Sequence, residues 1–541
     1  MADDELTTPG TASPVPAGDP STAEPVPAAA EAVGGDETAP PPDAPRSPGL
    51  GRRVTVVSLR VARGLGGLAA AAAVVAAVGL VPLPEAGIEP LGTVVEPEAA
   101  DLLSVCPGAL LRLGDETGGN AGRVFPVGAP DVVVPSQPAD TQRIPLLGGD
   151  AAGSSAGQEP VAVRLVPSED AAVAAAQGQY ADGAGELSGL AAAACAEPVS
   201  SAWIAAGSTT LGRTSILQLV NPTAVRADVT LELWGEDGRV SAPGMSGIMV
   251  PAGGRLALPL SGFAPDLASP VVHVEARGGQ VVAWLQTSII RVIEPGGVDL
   301  VGPGVAPAEQ LVIPGVRIQD SRAVAGSLGI EGYDDLEAVI RIGNPGDTVA
   351  RVEVSLTPAN PEGVPTSFEV SVAGGGVSDT PLASAHELGE EPLPDGVYTV
   401  SVRSDVPVVA AARASTITPP TAGDAGPVPG SADIAWFSSA APLAGDTAFA
   451  VAAAGSPVLV AVALDGAPHT LVLESLGGGG ELALDVPATG SVAIPLSAGA
   501  AYRIRDADGV AAAVSFAGPG RLAGYPVVSP RASDGPLVVR P

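Results

Sequence analysis

Lysine is absent from the sequence, so all 26 basic residues are arginine. A phosphate-binding glycine-rich loop of the common nucleotide-binding type needs a lysine, and the sequence therefore excludes that class of site. Aromatic residues make up only 3% of the 541 residues, so the cores must consist mainly of Val, Leu, Ile and Ala. Four Trp give little support for an extended sugar-binding platform.

Histidine is nearly as scarce, with three residues far apart: His273, His386 and His469. No His, Cys and Asp set has the spacing of metal ligands, so we expect neither a metal nor a cofactor. His273 in "VVHVEA" is interpreted as a surface or core residue rather than a catalytic base. The motif G-x-S-x-G at 153–157 lacks the flanking strand and helix that a nucleophile elbow requires. The sequence therefore predicts no catalytic set, and a protein that is not an enzyme.

The net charge of −33 excludes another class of partner. Such a surface repels DNA and RNA, so nucleic-acid binding is not expected. Gly (70) and Pro (56) are abundant, and both residues favour turns and short strands over long helices.

One segment predicts the compartment. Residues 1–51 are acidic and rich in Pro, which is typical of a disordered tail. A basic flank follows, and then 21 uncharged residues, 64–84, which as a helix would reach about 30 Å and cross a membrane. The positive-inside rule puts the tail in the cytoplasm and the rest of the chain outside, as a single-pass protein of the cell membrane. An uncleaved signal anchor is favoured over a cleaved signal peptide and over a buried helix of a soluble domain.

The two cysteines agree with an extracytoplasmic location. Cys106 and Cys195 both lie beyond the membrane segment, and an even pair in an oxidising compartment is most simply a disulfide, with free buried thiols as the alternative. In the chain-entropy model, closing a loop of about 90 residues stabilises the fold by roughly 4 to 5 kcal/mol.

An internal repeat is visible from residue 199 onwards. The stretch "LQLVNPTAVRADVTLELW" (217–234) has a counterpart in "IRIGNPGDTVARVEVSL" (340–356), and a third copy has lost the Asn-Pro pair. Pro cannot donate to a strand ladder and Asn can bond the backbone ahead of it, so the pair is interpreted as a structural turn. The turn residues are Asn221 with Pro222, and Asn344 with Pro345.

Strand alternation makes Trp234 a candidate ligand contact. The pattern "DVTLELW" turns Val229, Leu231 and Leu233 towards a core and puts Trp234 on the polar face. An exposed Trp234 could stack on a sugar, although packing between domains is the favoured interpretation.

Three copies of about 110 to 120 residues predict a mainly β fold, with tandem antiparallel immunoglobulin-like β-sandwiches after one N-terminal transmembrane helix. A β-propeller-like arrangement is the alternative, but each copy is long for a four-stranded blade. A short helix is predicted over 168–181. The predicted boundaries are a disordered cytoplasmic tail at 1–51, a basic flank and transmembrane anchor at 52–84, a disulfide-containing membrane-proximal region at 85–198, and β-sandwich repeats at 199–312, 313–427 and 428–541.

The order of these features resembles a known family. A membrane span is followed by "CPG" at 106–108, by "GLAAAACAEPVSSAWIAAGS" with Cys195 and Trp203, and by an L-x-L-x-NP start. This order is similar to that of membrane-anchored, secreted actinobacterial proteins classed as a domain of unknown function, family 5719. The resemblance covers roughly residues 85–541. It implies a secreted envelope protein without known catalytic residues, and a role in the assembly of envelope glycoconjugates.

We therefore expect a membrane-anchored extracytoplasmic scaffold or binding protein of the bacterial cell envelope. Its expected partners are the membrane, which it spans once, and envelope proteins or glycans. The alternative is a polysaccharide-binding or polysaccharide-modifying envelope protein that uses carboxylates and Trp in a cleft.

Overall fold

The structure is a computed structural model, and it describes residues 93–95, 102–114, 123–135, 141–149, 155–165, 174–183, 187–291, 293–382, 392–419, 421–423, 426–428, 430–530 and 537–539. The predicted tail and the predicted anchor at 64–84 lie outside these ranges. Within them, no helix has both the length and the apolar character that crossing a membrane requires. The fold is mainly β, and most of its strand pairs are antiparallel.

Short strands make up the described part of the chain before residue 199: β1 (Thr93–Val95), β2 (Leu102–Cys106), β3 (Leu110–Leu113), β4 (Val124–Val127), β5 (Asp131–Val133), β6 (Gln142–Pro145), β7 (Gly148–Gly149), β8 (Val161–Leu165), β9 (Ala176–Asp182) and β10 (Ser188–Ala194). The predicted disulfide is confirmed: Cys106 at the end of β2 is bonded to Cys195 just after β10. The helix predicted over 168–181 is wrong in its described part, because residues 176–182 pair as β9 with β5 and β10. Pairing on both sides outweighs the helical preference of the Ala-rich sequence.

The first repeat contains nine strands: β11 (Ser201–Ala205), β12 (Arg213–Asn221), β13 (Ala227–Gly235), β14 (Gly238–Val240), β15 (Ile248–Val250), β16 (Gly254–Pro259), β17 (Val271–Gly278), β18 (Val282–Arg291) and β19 (Glu294–Val301). They form two sheets, one in the order β11–β17–β13–β14 and one in the order β19–β18–β12–β16. Alternation buries Val229, Leu231 and Leu233 of β13, as predicted. Both sheets contribute to one core, in which Ile204 and Leu219 are also buried.

The second repeat contains nine strands and one helix: β20 (Ala308–Ile318), α1 (Ser321–Ser327), β21 (Val339–Gly343), β22 (Ala350–Pro358), β23 (Thr366–Val372), β24 (Val377–Pro381), β25 (Gly396–Ile417), β26 (Thr421–Gly423), β27 (Gly426–Val428) and β28 (Ala432–Ser438). Strand β25 is long enough to pair in two sheets. Its first half pairs with β20 and β22, and its second half pairs with β21 and β28. Pro407 lies between Ser404, which pairs with β22, and Val409, which pairs with β21. The missing N–H of Pro407 therefore falls where the strand passes from one sheet to the other.

The third repeat contains eight strands, and the last strand of the chain follows it: β29 (Thr447–Ala450), β30 (Ser456–Ala463), β31 (His469–Ser475), β32 (Glu481–Val486), β33 (Ser491–Pro495), β34 (Ala501–Arg505), β35 (Val510–Gly518), β36 (Arg521–Pro526) and β37 (Leu537–Val539). Its sheets have the orders β29–β34–β31–β32 and β36–β35–β30–β33, and β37 pairs with β1. These orders match those of the first repeat strand for strand. The second repeat follows the same plan, with β25 in place of β17 and β18.

The Asn-Pro turns make equivalent hydrogen bonds in the first two repeats. Asn221 Nδ2 donates to Val225 O at 2.8 Å and to Val250 O at 3.2 Å, and its Oδ1 accepts the Thr223 N–H at 2.9 Å. Asn344 bonds the residues two and four positions ahead, and a later strand, in the same way. Each Asn thus joins the end of one strand to its own turn and to a more distant strand.

In the third repeat an Asp-Gly pair replaces Asn-Pro. Asp465 Oδ1 accepts the Ala467 N–H at 2.9 Å, so the bond to the residue two positions ahead is retained. Its side chain is 49% exposed, whereas Asn221 and Asn344 are buried. The turn therefore survives in the third repeat without the buried amide.

Four strands form a closed ring around a common axis. One comes from the part of the chain before residue 199, and one comes from each of the three repeats. These inner strands are β10, β19, β28 and β36, and each packs against the next in the order β10, β19, β28, β36 and back to β10. The four belong to four different sheets. Glycines allow two of the close approaches, because a Cβ on Gly189 (φ +145°) would lie 2.8 Å from Val298 N and one on Gly297 (φ +133°) would lie 2.8 Å from Ile434 N. The ring belongs to the compact unit Gly92–Pro541.

Candidate functional site

A cavity of about 400 Å³ lies where the carboxyl ends of the four inner strands meet. Ala194 ends β10 and Pro526 ends β36, while Pro303 and Ser439 follow β19 and β28 within two residues, and all four line the cavity. The inner strands therefore run in the same direction along the axis. The volume is in the range of small-molecule sites. We call it the axial cavity.

The walls of the axial cavity are mostly apolar. They include Trp203 of β11, Val282 of β18, Phe449 of β29 and Val527, which follows β36. Glu197 is the one charged residue among the described residues that line it. Such a surface favours an apolar ligand group, because burying it removes apolar area from water and costs little polar desolvation.

The hydroxyl of Tyr525 is already engaged at the cavity wall. It donates to Ala450 O at 2.9 Å and accepts the Ala452 N–H at 3.0 Å. Burial raises the pKa of Tyr525 above its usual value, so the phenol stays neutral. Tyr525 therefore fixes the backbone of the wall and adds no charge to the cavity.

A buried carboxylate joins the inner strands towards their amino ends. Asp433 of β28 accepts one backbone N–H bond from each of the other three inner strands. The donors are Leu190 N at 2.9 Å, Val298 N at 3.3 Å and Leu522 N at 3.2 Å. Burial raises the pKa of Asp433 to about 7, although these donors favour its ionised form. Burial also raises the pKa of Asp299 on β19, with a smaller contribution from the charge of Asp433.

A polar cluster lies beside the axial cavity on the sheet β11–β17–β13. The register pairs Trp203 with His273, and His273 with Glu232, on three adjacent strands. Ser201 Oγ lies 2.9 Å from His273 Nε2, and Glu232 Oε2 lies 2.9 Å from His273 Nδ1. The sequence indicates no partner for His273, but the structure gives its ring a hydroxyl on one side and a carboxylate on the other.

Trp234 is buried, with 6% exposure, and is not exposed as strand alternation alone would allow. Trp234 does lie on the predicted face of β13, but Trp203 covers it with its ring centroid 5.1 Å away, and the guanidinium of Arg239 lies 5.7 Å from it. A sheet face that is polar by alternation is thus closed by stacked rings. Trp234 lies in a core that also contains Trp436 of the second repeat, and it is not available to stack on a ligand.

The other predicted residues divide between the cavity and the turns. Cys195 lines the axial cavity, so the disulfide fixes one part of its wall. Asn221, Pro222, Asn344 and Pro345 are not among the described residues that line it. The Asn-Pro pairs therefore belong to the scaffold.

Sequence reasoning missed Ser201 and Glu232, although a signal for them was present. Both lie on the polar face of strands that alternate, as does His273. Alternation can place each side chain on a face, but only the pairing of β11 and β13 on either side of β17 brings the three together. That pairing joins residues more than 30 positions apart.

Comparison with known proteins gives a family and little more. The family DUF5719, described as a family of unknown function, matches residues 151–502, which is more than half of the chain. None of the curated proteins compared with the chain matches it. A solved structure, the crystal structure of Thermotoga maritima 1070, is 19% identical and covers 25% of this chain and 95% of its own, with a TM-score of 0.17. A TM-score this low does not establish a shared fold.

Proposed function

The chain belongs to the family of unknown function DUF5719, and from the geometry of this member we propose a membrane-anchored, extracytoplasmic binding protein of the bacterial cell envelope. Its axial cavity takes up an apolar group of a small, uncharged envelope molecule. The observation that carries this proposal is the mostly apolar cavity of about 400 Å³ at the carboxyl ends of four inner strands. Pockets with apolar walls and a few polar groups are the usual sites of small ligands.

The rigidity of the surrounding structure supports a binding role. Asp433 bonds three neighbouring inner strands, and the disulfide of Cys195 holds the wall. A cavity that is already formed loses little conformational entropy when it binds. The acidic surface of the chain favours an uncharged ligand over an anionic one.

The setting of the protein is part of the same proposal. Residues 64–84 anchor the chain, the part after residue 84 faces the outside, and the repeats are tandem β-sandwiches of immunoglobulin-like size. The shared strand order of the repeats and the disulfide support this view. We also propose a link to the assembly of envelope glycoconjugates, because a protein that binds apolar groups in the envelope could hold a component of that assembly.

The experiment is to purify the full chain from its own membrane, extract it with organic solvent and analyse the extract by mass spectrometry. Ala306 lines the cavity and is exposed, so Ala306→Trp fills its mouth without overpacking the core. Ala467 is an exposed alanine outside the lining, and Ala467→Trp is the matched control. We expect a neutral molecule with an apolar group from the wild type and from Ala467→Trp, but not from Ala306→Trp. Equal recovery from all three would contradict the proposal.

A further inference from the structure

We infer that Ser201, His273 and Glu232 are the nucleophile, the base and the orienting acid of an esterase site. The substrate is an uncharged ester whose apolar acyl group lies in the axial cavity. This inference rests on the proposed function for its acyl site and adds a reaction to the binding role.

The hydrogen bonds of the three residues have the connectivity that a proton transfer requires. Ser201 Oγ and His273 Nε2 are 2.9 Å apart, and His273 Nδ1 and Glu232 Oε2 are 2.9 Å apart. In a neutral imidazole, the Nδ1–H donates to the carboxylate and Nε2 accepts from the hydroxyl. A nucleophile bonded to a base, which is in turn oriented by a third group, is the signature of nucleophilic catalysis.

The surrounding strands hold this geometry. Each of the three residues comes from a different strand, and β11 and β13 both pair with β17, so their spacing is set by the ladders. The ring of Trp203 stacks on His273 with centroids 4.2 Å apart and planes inclined by 12°. Arg239 bonds the other oxygen of Glu232. The side chains of a site on paired strands are held more precisely than those of a site on loops.

The nucleophile is accessible, and the base is covered. Ser201 is exposed, whereas the side chain of His273 is only 15% exposed. Ser201 and Trp203 both line the axial cavity. A molecule that inserts an acyl chain among Phe449 and Val527 would therefore present its ester carbonyl at the rim beside Ser201. The net charge of −33 disfavours phosphate and carboxylate substrates.

The reaction consumes the ester and one water molecule and needs no other reagent. Ser201 Oγ adds to the carbonyl carbon while its proton passes to His273 Nε2. The imidazolium gives this proton to the alcohol oxygen as the ester C–O bond breaks. Water then attacks the acyl-serine with His273 as base, and the carboxylic acid leaves as the hydroxyl is restored. Glu232 holds the Nδ1–H throughout and stabilises the imidazolium.

The test is covalent labelling of the full chain, in detergent, with a small fluorophosphonate that needs no acyl pocket. We expect one adduct by intact mass, mapped to Ser201 by peptide analysis. Ser201→Ala removes it, and His273→Gln slows it about 100-fold or more, the scale of general-base catalysis. The controls are Ser200→Ala, the neighbouring exposed serine, and His469→Gln, a histidine bonded to Asp465 at 2.9 Å. Both should label like the wild type.

Two results would overturn the esterase site: no adduct on Ser201, or an adduct that forms equally fast in His273→Gln. Thermal unfolding of each variant shows whether it is folded before its labelling is compared.

The acyl site is tested separately with p-nitrophenyl esters from acetate to decanoate. We expect kcat/KM to rise about three- to fourfold per buried methylene, and Ala306→Trp to flatten this rise, whereas Ala467→Trp should keep it. If Ser201 is labelled but the rates do not depend on chain length, the catalytic set stands and the proposed apolar site is wrong. If labelling fails while the cavity still yields a ligand, the binding role stands and the esterase is wrong.

Discussion

Among single residues, the buried side-chain amides of Asn221 and Asn344 stabilise the turns of the first two repeats. Replacing Asn221 or Asn344 with Ala removes two bonds donated to carbonyls and at least one accepted from a backbone N–H, and we expect each change to lower the free energy of unfolding by about 1–3 kcal/mol. Asn360 is the matched control, because it is exposed and its Oδ1 accepts only the Glu362 N–H at 3.1 Å among its described bonds. Its replacement should stay within about 0.5 kcal/mol. Chemical denaturation measures all three, and equal losses would contradict the account.

The sequence predicts the role of a residue when the partners of that residue lie nearby in the chain. Asn221 bonds residues two and four positions ahead, so its role follows from the sequence pattern. The burial of Trp234 depends on Trp203, which lies 31 positions earlier and reaches it only through β17. The set of Ser201, His273 and Glu232 depends on the same long-range register. Periodicity gives the face of a side chain and not its neighbours.

At the scale of elements, Arg341 of β21 holds the second repeat against the first. Its guanidinium makes two bonds of 2.7 Å to Asp379, and also donates to Gly207 O at 2.8 Å and to Pro270 O at 3.1 Å in the first repeat. The ring of Trp436 lies 4.4 Å away. One buried side chain therefore satisfies groups from both repeats.

Removing this guanidinium should be costly. Arg341→Met removes the guanidinium from Asp379 and from three carbonyls of the first repeat, and we expect the free energy of unfolding to fall by about 3–5 kcal/mol. Arg351→Met is the control, since Arg351 is 85% exposed and lies 3.8 Å from Asp405, a contact worth less than about 1 kcal/mol. Denaturation of both variants checks the difference. A loss for Arg341→Met no larger than that for Arg351→Met would refute the role of Arg341.

The inner strands make stability depend on pH through Asp433. Its folded pKa is about 7, above the value of about 3.9 in an unfolded chain. The folded state therefore holds the proton more tightly, so the free energy of unfolding falls as pH rises from about 4 to about 7 and then levels off. Asp433→Asn should weaken this fall, whereas Asp228→Asn, at an exposed position on β13, should not. An unchanged pH dependence in Asp433→Asn would show that Asp433 does not titrate in this way.

The acid side has the opposite sign. Arg341 lowers the pKa of Asp379, and Arg291 and Arg213 lower that of Asp335, in each case against the effect of burial. These carboxylates contribute stability that is present above their unfolded pKa and is lost as pH falls through the folded value. Asp379→Asn should therefore lose less stability than the wild type between pH 4 and pH 2, as measured by denaturation at each pH. A wild-type acid loss that is unaffected by this change would contradict the assignment.

At the scale of the whole molecule, the closed ring of inner strands could not be predicted. The sequence indicates three repeats, because each repeat carries its own strand pattern. Ring closure depends on contacts between distant parts of the chain, such as the Gly189 approach to Val298 and the bonds of Asp433 to three other strands. A single Asp and a single Gly have no periodic signature. The axial cavity forms only when the ring closes, so the sequence could not predict it either.

Photoaffinity labelling shows whether the axial cavity binds an apolar group. The full chain is irradiated with a neutral alkyl diazirine, and the modified peptides are mapped by mass spectrometry. We expect about one label per chain, on cavity residues such as Trp203, Phe449 and Val527, and loss of the label in Ala306→Trp but not in Ala467→Trp. Labels concentrated instead on exposed apolar residues such as Leu211 and Ile293, and unaffected by Ala306→Trp, would contradict binding in the cavity.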